Sequence, residues 1–230
     1  MKKQNLLRRF RWSLLALPML CATLMLTACG GDDDEGSGGN DINSVIPADI
    51  RNKMKNYITF YEGNNPPNVE GTYLASPYVS VYDSSDGYEA GSLFVDSYFE
   101  FYNQNSNDNT LYFRKKSADG ITQMNGKAHI QGNGNNFTIY LISTGTDSGI
   151  SLKEVTVVSG TKTASGIKNL HYAFVVTEKG NDPEETLVPV GTFRVFKDKD
   201  GLAENTTWPT AARAESGMKA KSSLKGMYEK

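Results

Sequence analysis

Histidine is the first residue type to consider for acid–base chemistry in this chain, and only His129 and His171 supply it. A catalytic imidazole needs an orienting carboxylate and a nucleophile within hydrogen-bond reach. The sequence has no Gly-x-Ser-x-Gly motif, and neither histidine lies in a recognisable catalytic motif. We interpret both as ordinary surface histidines, and the sequence therefore predicts a protein that is not an enzyme and has no catalytic residues.

A pair of carboxylates could hydrolyse glycosides, and Asp96 and Glu100 lie on the same face of one predicted strand. Glycosidases need two carboxyl groups about 5–10 Å apart. Four strand residues at about 3.3 Å each separate these two by more than that distance. We therefore interpret Asp96 and Glu100 as solvated residues of an outer face.

Calcium could bind oxygen ligands of Asp198, Asp200 and Glu204 around Gly201. A calcium loop needs more ligands at fixed steps, and no third acid precedes this glycine. A strand-ending turn explains Asp-Gly equally well. Residues 132–135 have neither the helix nor the Gly-Lys-Ser/Thr of a phosphate loop. The sequence thus predicts no metal site and no cofactor.

Tyrosine is the most suggestive residue type, because the chain contains 12 of them. Tyrosine rings with polar neighbours are good platforms for glycans or protein partners. Five tyrosines lie opposite the inferred core faces of the first three predicted strands and form a candidate binding face: Tyr78, Tyr82, Tyr98, Tyr102 and Tyr112. The alternative is that they form cross-strand pairs that stabilise an exposed sheet. The sequence leaves both interpretations open.

The elements that must position these residues follow from a change of period at Gly71. Before it, the apolar residues from Ile46 to Tyr61 lie on one stripe at helical spacing and predict a single amphipathic helix. After it, period-two alternation between Gly, Asn and Asp turns predicts eight strands. Their approximate bounds are 71–82, 92–102, 110–116, 121–131, 136–143, 151–159, 166–178 and 186–197.

Short connections between consecutive strands predict an all-β antiparallel meander. One apolar face per strand indicates an eight-stranded up-and-down barrel, with the helix over one mouth or against the wall. A two-sheet β-sandwich is the alternative, because strand patterns alone do not separate the two folds. The aromatic residues expected inside are Phe99, Phe101, Phe137, Tyr172, Phe174 and Phe193.

Residues 67–73, Pro-Asn-Val-Glu-Gly-Thr-Tyr, resemble the opening strand of lipocalin-like (calycin) domains. The usual motif there is Gly-x-Trp, and Tyr73 stands at the Trp position. Together with the strand count, the resemblance implies a barrel that can hold one small apolar ligand.

Residues 1–28 have the three zones of a secretory signal: a basic start, an apolar run too short to span a membrane, and small residues before a cut. The four residues Leu26-Thr27-Ala28-Cys29 resemble the lipobox of bacterial lipoproteins, whose signal peptidase cuts before the cysteine. The resemblance implies that the mature chain begins at Cys29. Acyl chains such as palmitate on that residue then anchor the protein to a membrane.

An acidic run follows the cysteine and consists of Asp32, Asp33, Asp34 and Glu35. It resembles the export signal of Bacteroidetes lipoproteins, which implies that the protein is anchored in the outer membrane and faces the cell exterior. The alternative is a solvated linker, since Gly, Asp, Ser and Asn also make flexible tethers.

Charge and cysteine content exclude several classes of function. Removal of the signal takes five of the 24 basic residues and none of the 26 acidic residues, which leaves a net charge of −7. An acidic chain argues against nucleic acid as a partner. Cys21 lies in the signal and Cys29 carries the lipid, so no thiol remains for a disulfide, a nucleophile or a metal.

The predicted organisation is a signal peptide, a lipidated acidic tether, one folded domain and a disordered basic tail, at 1–28, 29–45, 46–209 and 210–230. Two functions stay open for the domain. One is a binding module for a small apolar ligand or a glycan. The other is a structural or adhesive surface protein, built as a β-sandwich, that binds host protein or glycan through the exposed tyrosines.

Overall fold

The computed structural model of the chain describes residues 42–210. The predicted signal peptide, Cys29, the acidic run 32–35 and the predicted tail after Thr210 lie outside the described residues. Within the described range, no helix is long and apolar enough to cross a membrane. The elements are α1 (Ile42–Val45), α2 (Ala48–Met54), β1 (Asn64–Asn65), β2 (Gly71–Ala75), β3 (Tyr78–Asp83), β4 (Leu93–Phe94), β5 (Ser97–Asn105), β6 (Thr110–Ser117), β7 (Gln123–Asn133), β8 (Asn136–Asp147), β9 (Ile150–Lys162), β10 (Gly166–Lys179), β11 (Phe193–Asp198) and β12 (Leu202–Thr206).

Eight of these strands form a closed, barrel-like ring. Its order is β2, β5, β6, β7, β8, β9, β10 and β12, and β12 pairs again with β2. All neighbours in the ring are antiparallel. Beside the ring, β11 pairs with β10, β3 with β11 and β4 with β3. The predicted all-β meander is confirmed, and the closed ring is inconsistent with two separate sheets.

Two of the eight predicted strands are each divided in two, and two further strands, β1 and β12, lie outside the predicted ranges, which explains the twelve observed strands. The first divides at Ser76–Pro77, because proline has no N–H to donate to the ladder. The second divides between β4 and β5. The predicted range 186–197 is wrong at both ends, since Leu187 and Val188 are core residues of a loop and β12 lies beyond it.

Asp198 stabilises the turn between β11 and β12 by hydrogen bonds. One of its carboxylate oxygens accepts the N–H of Ser76 at 2.9 Å. The other accepts the N–H groups of Gly201 and Leu202 at 2.9 and 3.1 Å. The acid considered above as a calcium ligand therefore accepts backbone N–H groups from the link between β2 and β3 and from the start of β12.

The inner face of the ring is the main core of the protein. Aromatic rings contact one another across it, with centroid distances of 5.6 Å for Phe99–Tyr172 and 6.4 Å for Phe101–Phe137. Phe174 lies in the same cluster. The alternation predicted for these strands is confirmed, because all five residues are at most 2% exposed.

Residues 42–61, which we call the strap, cover the outer face of β8 to β11. Ile46, Met54 and Ile58 of the strap are buried in this second core. The predicted single helix 46–61 is too long, since the helical part ends at Met54 and Pro47 separates it from α1. Helical spacing correctly predicts the apolar stripe, but turns and extended chain bring its last residues to the wall.

Phe193 lies in the second core and not inside the ring, contrary to the prediction. The alternation of β11 is ambiguous because both of its faces are buried and each carries an apolar residue. Its inward residues are Arg194 and Phe196, while the strap covers Phe193 and Val195. Arg194 forms a buried ion pair of 2.9 Å with Asp83.

Candidate functional site

The outer face of β5 and β6 brings together three of the five tyrosines of the predicted binding face. Tyr102 lies directly opposite Tyr112, and Tyr98 lies further along the same face of β5. The rings of Tyr102 and Tyr112 stack, with centroids 5.5 Å apart and planes at 22°. They project outward because the alternate residues Phe101 and Phe113 fill the core. Tyr112 keeps 42% of its surface exposed.

Arg114 extends this stack to a residue beyond the last strand. Its guanidinium lies 5.8 Å from the ring centroid of Tyr102 and 4.1 Å from that of Trp208. Such distances allow cation–π attraction to both rings. Glu100, which is opposite Arg114 in the register, forms an ion pair with it and fixes its direction. We call Tyr112, Tyr102, Arg114 and Trp208 the aromatic ladder.

Sequence reasoning missed two members of the ladder. Trp208 follows β12 at the predicted end of the domain, where nothing local indicates a partner. The link between Arg114 and Tyr102 depends on the register of two strands. One available signal is that Trp208 is the only tryptophan of the chain from residue 29 onward, and tryptophan is uncommon on an exposed surface without a role in binding.

The ladder has the chemistry to bind rings that combine an apolar face with hydroxyl groups at the edge. Its half-buried aromatic side chains offer apolar faces and hydrogen-bonding edges. Lys127 is the neighbour of Tyr112 on β7, Lys116 is opposite Tyr98, and Asn125 is opposite Arg114. These side chains supply amide and ammonium donors around the rings. Stacking plus hydrogen bonding is therefore possible along this face.

The other two predicted tyrosines lie elsewhere. Tyr78 is fully buried and stacks on Phe196 at 5.1 Å, so its placement on the outer face is wrong. The break at Ser76–Pro77 changes the phase of alternation, which the sequence prediction carries through unbroken. Tyr82 is on the outside after an irregularity in the pairing of β3 with β11, and it stacks on Tyr57 of the strap at 4.2 Å.

A polar cluster lies inside the ring, where the sequence predicts only apolar residues. Lys115 and Glu154 are 2% and 1% exposed. The Lys115 ammonium lies 5.0 Å from the ring centroid of Tyr172 and 5.9 Å from that of Tyr78. The hydroxyl of Tyr172 donates to Glu154 at 3.2 Å. Lys115 is in phase with the core residue Phe113 on β6, and this signal was available from the sequence.

The two charged groups of the cluster are perturbed in opposite directions. Burial raises the pKa of Glu154 to about 7, and the attraction of Lys115 opposes that rise. Burial lowers the pKa of Lys115, and the negative charge of Glu154 opposes that change. The hydroxyl of Tyr78 has no hydrogen-bond partner within residues 42–210.

The residues considered for catalysis are separate from one another. His129 stacks on Tyr140 at 5.7 Å, and Nδ1 of His171 lies 2.9 Å from the carbonyl oxygen of Asn169. Burial lowers the pKa of both imidazoles, so they are neutral at pH 7. Asp96 accepts a hydrogen bond from a serine hydroxyl at 2.7 Å, while Glu100 pairs with an arginine.

Comparisons with known proteins identify no relative of this chain. In the described part of the chain, no group of three or more His, Cys, Asp or Glu side chains is placed to hold a metal ion. No protein-family model, curated protein or solved structure matches the sequence or its fold.

Proposed function

We propose that this protein is a lipid-anchored lipoprotein of the bacterial outer membrane whose domain binds carbohydrate at the cell exterior without transforming it. The observation that carries the proposal is the aromatic ladder, in which Tyr112, Tyr102 and Trp208 present ring surface beside one ion-paired arginine. Sugar rings pack against such surfaces through their apolar C–H faces, while their hydroxyl groups bond to neighbouring polar side chains.

The side chains that fill the interior of the ring favour a binding site on the outer wall over a binding site inside the ring. Five of the six aromatic residues expected inside are there, and their rings contact one another. A buried lysine and a buried glutamate occupy further inner positions. An apolar ligand in the interior would have to displace packed rings or meet charged groups, and both are costly.

The amino-terminal segment supports the location of the proposed activity. Residues 26–29 resemble the lipobox of bacterial lipoproteins, and residues 30–41 consist mostly of Gly and Asp. Linkers of that composition are in general flexible. A binding face on the outer wall is then free to meet polymers at the cell surface.

A protein partner is the second candidate, and the composition of the ladder favours it. Tyrosine, tryptophan and arginine are the residues most enriched at the centres of protein–protein interfaces. The same four side chains would then anchor a host protein, as the adhesive alternative predicts. The two candidates differ in whether isolated polysaccharides bind.

Affinity electrophoresis tests the proposal directly. The chain from residue 29, with Cys29→Ser to prevent lipidation, is run in gels that contain neutral or acidic polysaccharides. We expect at least one polysaccharide to retard it, and Tyr112→Ala to weaken that retardation about tenfold, which corresponds to ~1.4 kcal/mol. Ile142→Ala, at a 47% exposed position on the outside of β8, is the matched control. If no polysaccharide retards the chain, the carbohydrate proposal fails and a protein partner is the better candidate.

A further inference from the structure

Two adjacent cavities lie between the strap and the outer wall, on the side of the ring opposite β6. The larger has a volume of about 500 Å³ and includes Lys55, Glu62 and His171 in its lining. The smaller has a volume of about 270 Å³ and includes Lys53 and Tyr82. Asn56 and Tyr57 line both cavities, so Tyr57 stands between them. We call the two cavities together the Tyr57 groove.

The aromatic floor of the groove is held in place before any ligand arrives. The rings of Tyr57 and Tyr82 stack at 4.2 Å with planes 20° apart. Phe193 contacts both, with centroid distances of 6.0 and 5.4 Å. Tyr57 and Tyr82 are both half-buried. A fixed ring with part of its surface exposed is suited to stacking, because little side-chain entropy is lost on binding.

The polar groups of the groove are mostly ammonium groups and hydrogen-bond acceptors. Lys53 and Lys55 are exposed, and each lines a different cavity. Glu62 is the one acid among the residues that line the two cavities in the described range. His171 donates from Nδ1 to the carbonyl oxygen of Asn169, which leaves Nε2 as an acceptor. The groove therefore offers two cations, two acceptors and the amide of Asn56.

We propose that the Tyr57 groove is a second binding site, for a short acidic oligosaccharide that lies across Tyr57 with one end in each cavity. The combined cavities have the size of a drug-like ligand site, which suits two or three sugar rings. Lysines at both ends pair with the acid groups, and Glu62, His171 and Asn56 bond to hydroxyl groups. The groove is net positive on a chain that is net negative from residue 29 onward.

The site is separate from the aromatic ladder, and its existence does not depend on the proposed function. β10 lies four strands from β6 around an eight-stranded ring, so the two sites are on opposite walls.

A ligand in the groove would contact the strap, which a ligand on the ladder would not. One side of the groove is the strap, whose Tyr61 N–H is bonded to the Thr138 hydroxyl at 2.7 Å. A ligand that contacts both strap and sheet should strengthen the docking of the strap.

Calorimetric titration with trigalacturonate tests the site, and maltotriose is the neutral ligand of equal length. The chain from residue 29 with Cys29→Ser should bind trigalacturonate and not maltotriose. Lys53→Glu combined with Lys55→Glu should weaken binding at least tenfold without loss of folding, because both side chains are exposed. Lys168→Glu, at an exposed lysine that lines neither cavity, is the matched control and should bind as wild type does. Lys127→Glu, on the opposite wall, reports whether the ligand binds at the ladder instead.

Hydrogen exchange gives an independent measurement. Trigalacturonate should slow exchange of the Tyr61 amide, while the emission of Trp208 on the opposite wall should stay constant. Loss of binding in Lys127→Glu but not in the double lysine variant would place the acidic ligand on the ladder and overturn the proposal. Equal binding of the two trisaccharides, or no binding of either, would overturn it as well. Binding at the groove without any polysaccharide effect of Tyr112→Ala would retain this site and reject the ladder.

Discussion

Replacement of Glu154 by glutamine should remove a large part of the pH dependence of stability. Glu154 is buried inside the ring, and burial raises the pKa of its carboxyl group from 4.5 to about 7. The unfolded chain ionises this group near its ordinary value, whereas the folded protein resists ionisation. The stability that it contributes is therefore complete below pH 4.5 and is lost as the pH rises through about 7.

The magnitude follows from the same two values. At about 1.4 kcal/mol for each pH unit, the interval from 4.5 to about 7 corresponds to about 3 kcal/mol of unfolding free energy. The attraction of Lys115 and the repulsion of Asp147 are already included in the raised pKa. Glutamine is neutral at every pH, so the variant should lack this decrease. It should keep the contribution of Asp198, whose pKa burial raises to about 6.

Urea unfolding between pH 4.5 and pH 8 measures the effect. Wild type and Glu154→Gln should differ in the slope of unfolding free energy against pH, and the wild type should decrease by about 3 kcal/mol more. Glu178→Gln is the control, because Glu178 is 68% exposed and should leave the slope unchanged. If Glu154→Gln and wild type follow the same pH dependence, the carboxyl group ionises as in water and the reasoning is wrong.

Two further predictions concern packing and charge. Gly145→Ala should destabilise the protein by more than about 3 kcal/mol, because a Cβ there would lie 1.9 Å from the carbonyl oxygen of Gln123. A Cβ at Gly134 would meet no atom within 4 Å, but the φ of this residue is +61°, so Gly134→Ala should cost about 1 kcal/mol. Equal losses of Tm in the two glycine variants would contradict this account. Arg194→Met should cost about 3–5 kcal/mol in urea unfolding, because it leaves Asp83 buried without its ion pair. Adding Asp83→Asn should recover part of that loss, and no recovery would show that the pair is not the cause.

The order and pairing of the strands could be predicted from the sequence because they depend on local features. Alternation and turn residues mark each strand, and short connections make consecutive strands neighbours. The breaks could be predicted only in part. Pro77 is a clear signal within the first strand, but the break between β11 and β12 depends on Asp198 binding the backbone of Ser76, which is distant in sequence.

The inner and outer faces could be predicted where one face is polar, as in β5 and β7. They could not be predicted where both faces are buried. Phe193 is outside the ring because the strap covers it, and a sequence pattern does not show which elements cover a strand. Tyr78 is inside because a break upstream changes the phase of its strand. A single shift of phase moves every later side chain to the other face.

The residue types of the candidate site could be predicted from the sequence, but the arrangement of those residues could not. Tyr102 and Tyr112 are visible in the sequence as outward aromatic residues. Their contact with Arg114 and Trp208 needs the register of β5 on β6 and the path of the chain after β12. The Tyr57 groove depends on the docking of the strap, which lies far in sequence from β10 and β11.

The fluorescence of Trp208 tests the central claim most directly. In the chain from residue 29 it is the only tryptophan, and its ring lies 4.1 Å from the Arg114 guanidinium within the ladder. A polysaccharide that binds the ladder should change the emission of Trp208 in a saturable way, and Tyr112→Ala should shift the midpoint to about tenfold higher concentration. The account is contradicted if affinity electrophoresis shows saturable binding while the Trp208 emission does not change and Tyr112→Ala binds with the same midpoint. That result would place the carbohydrate elsewhere on the protein.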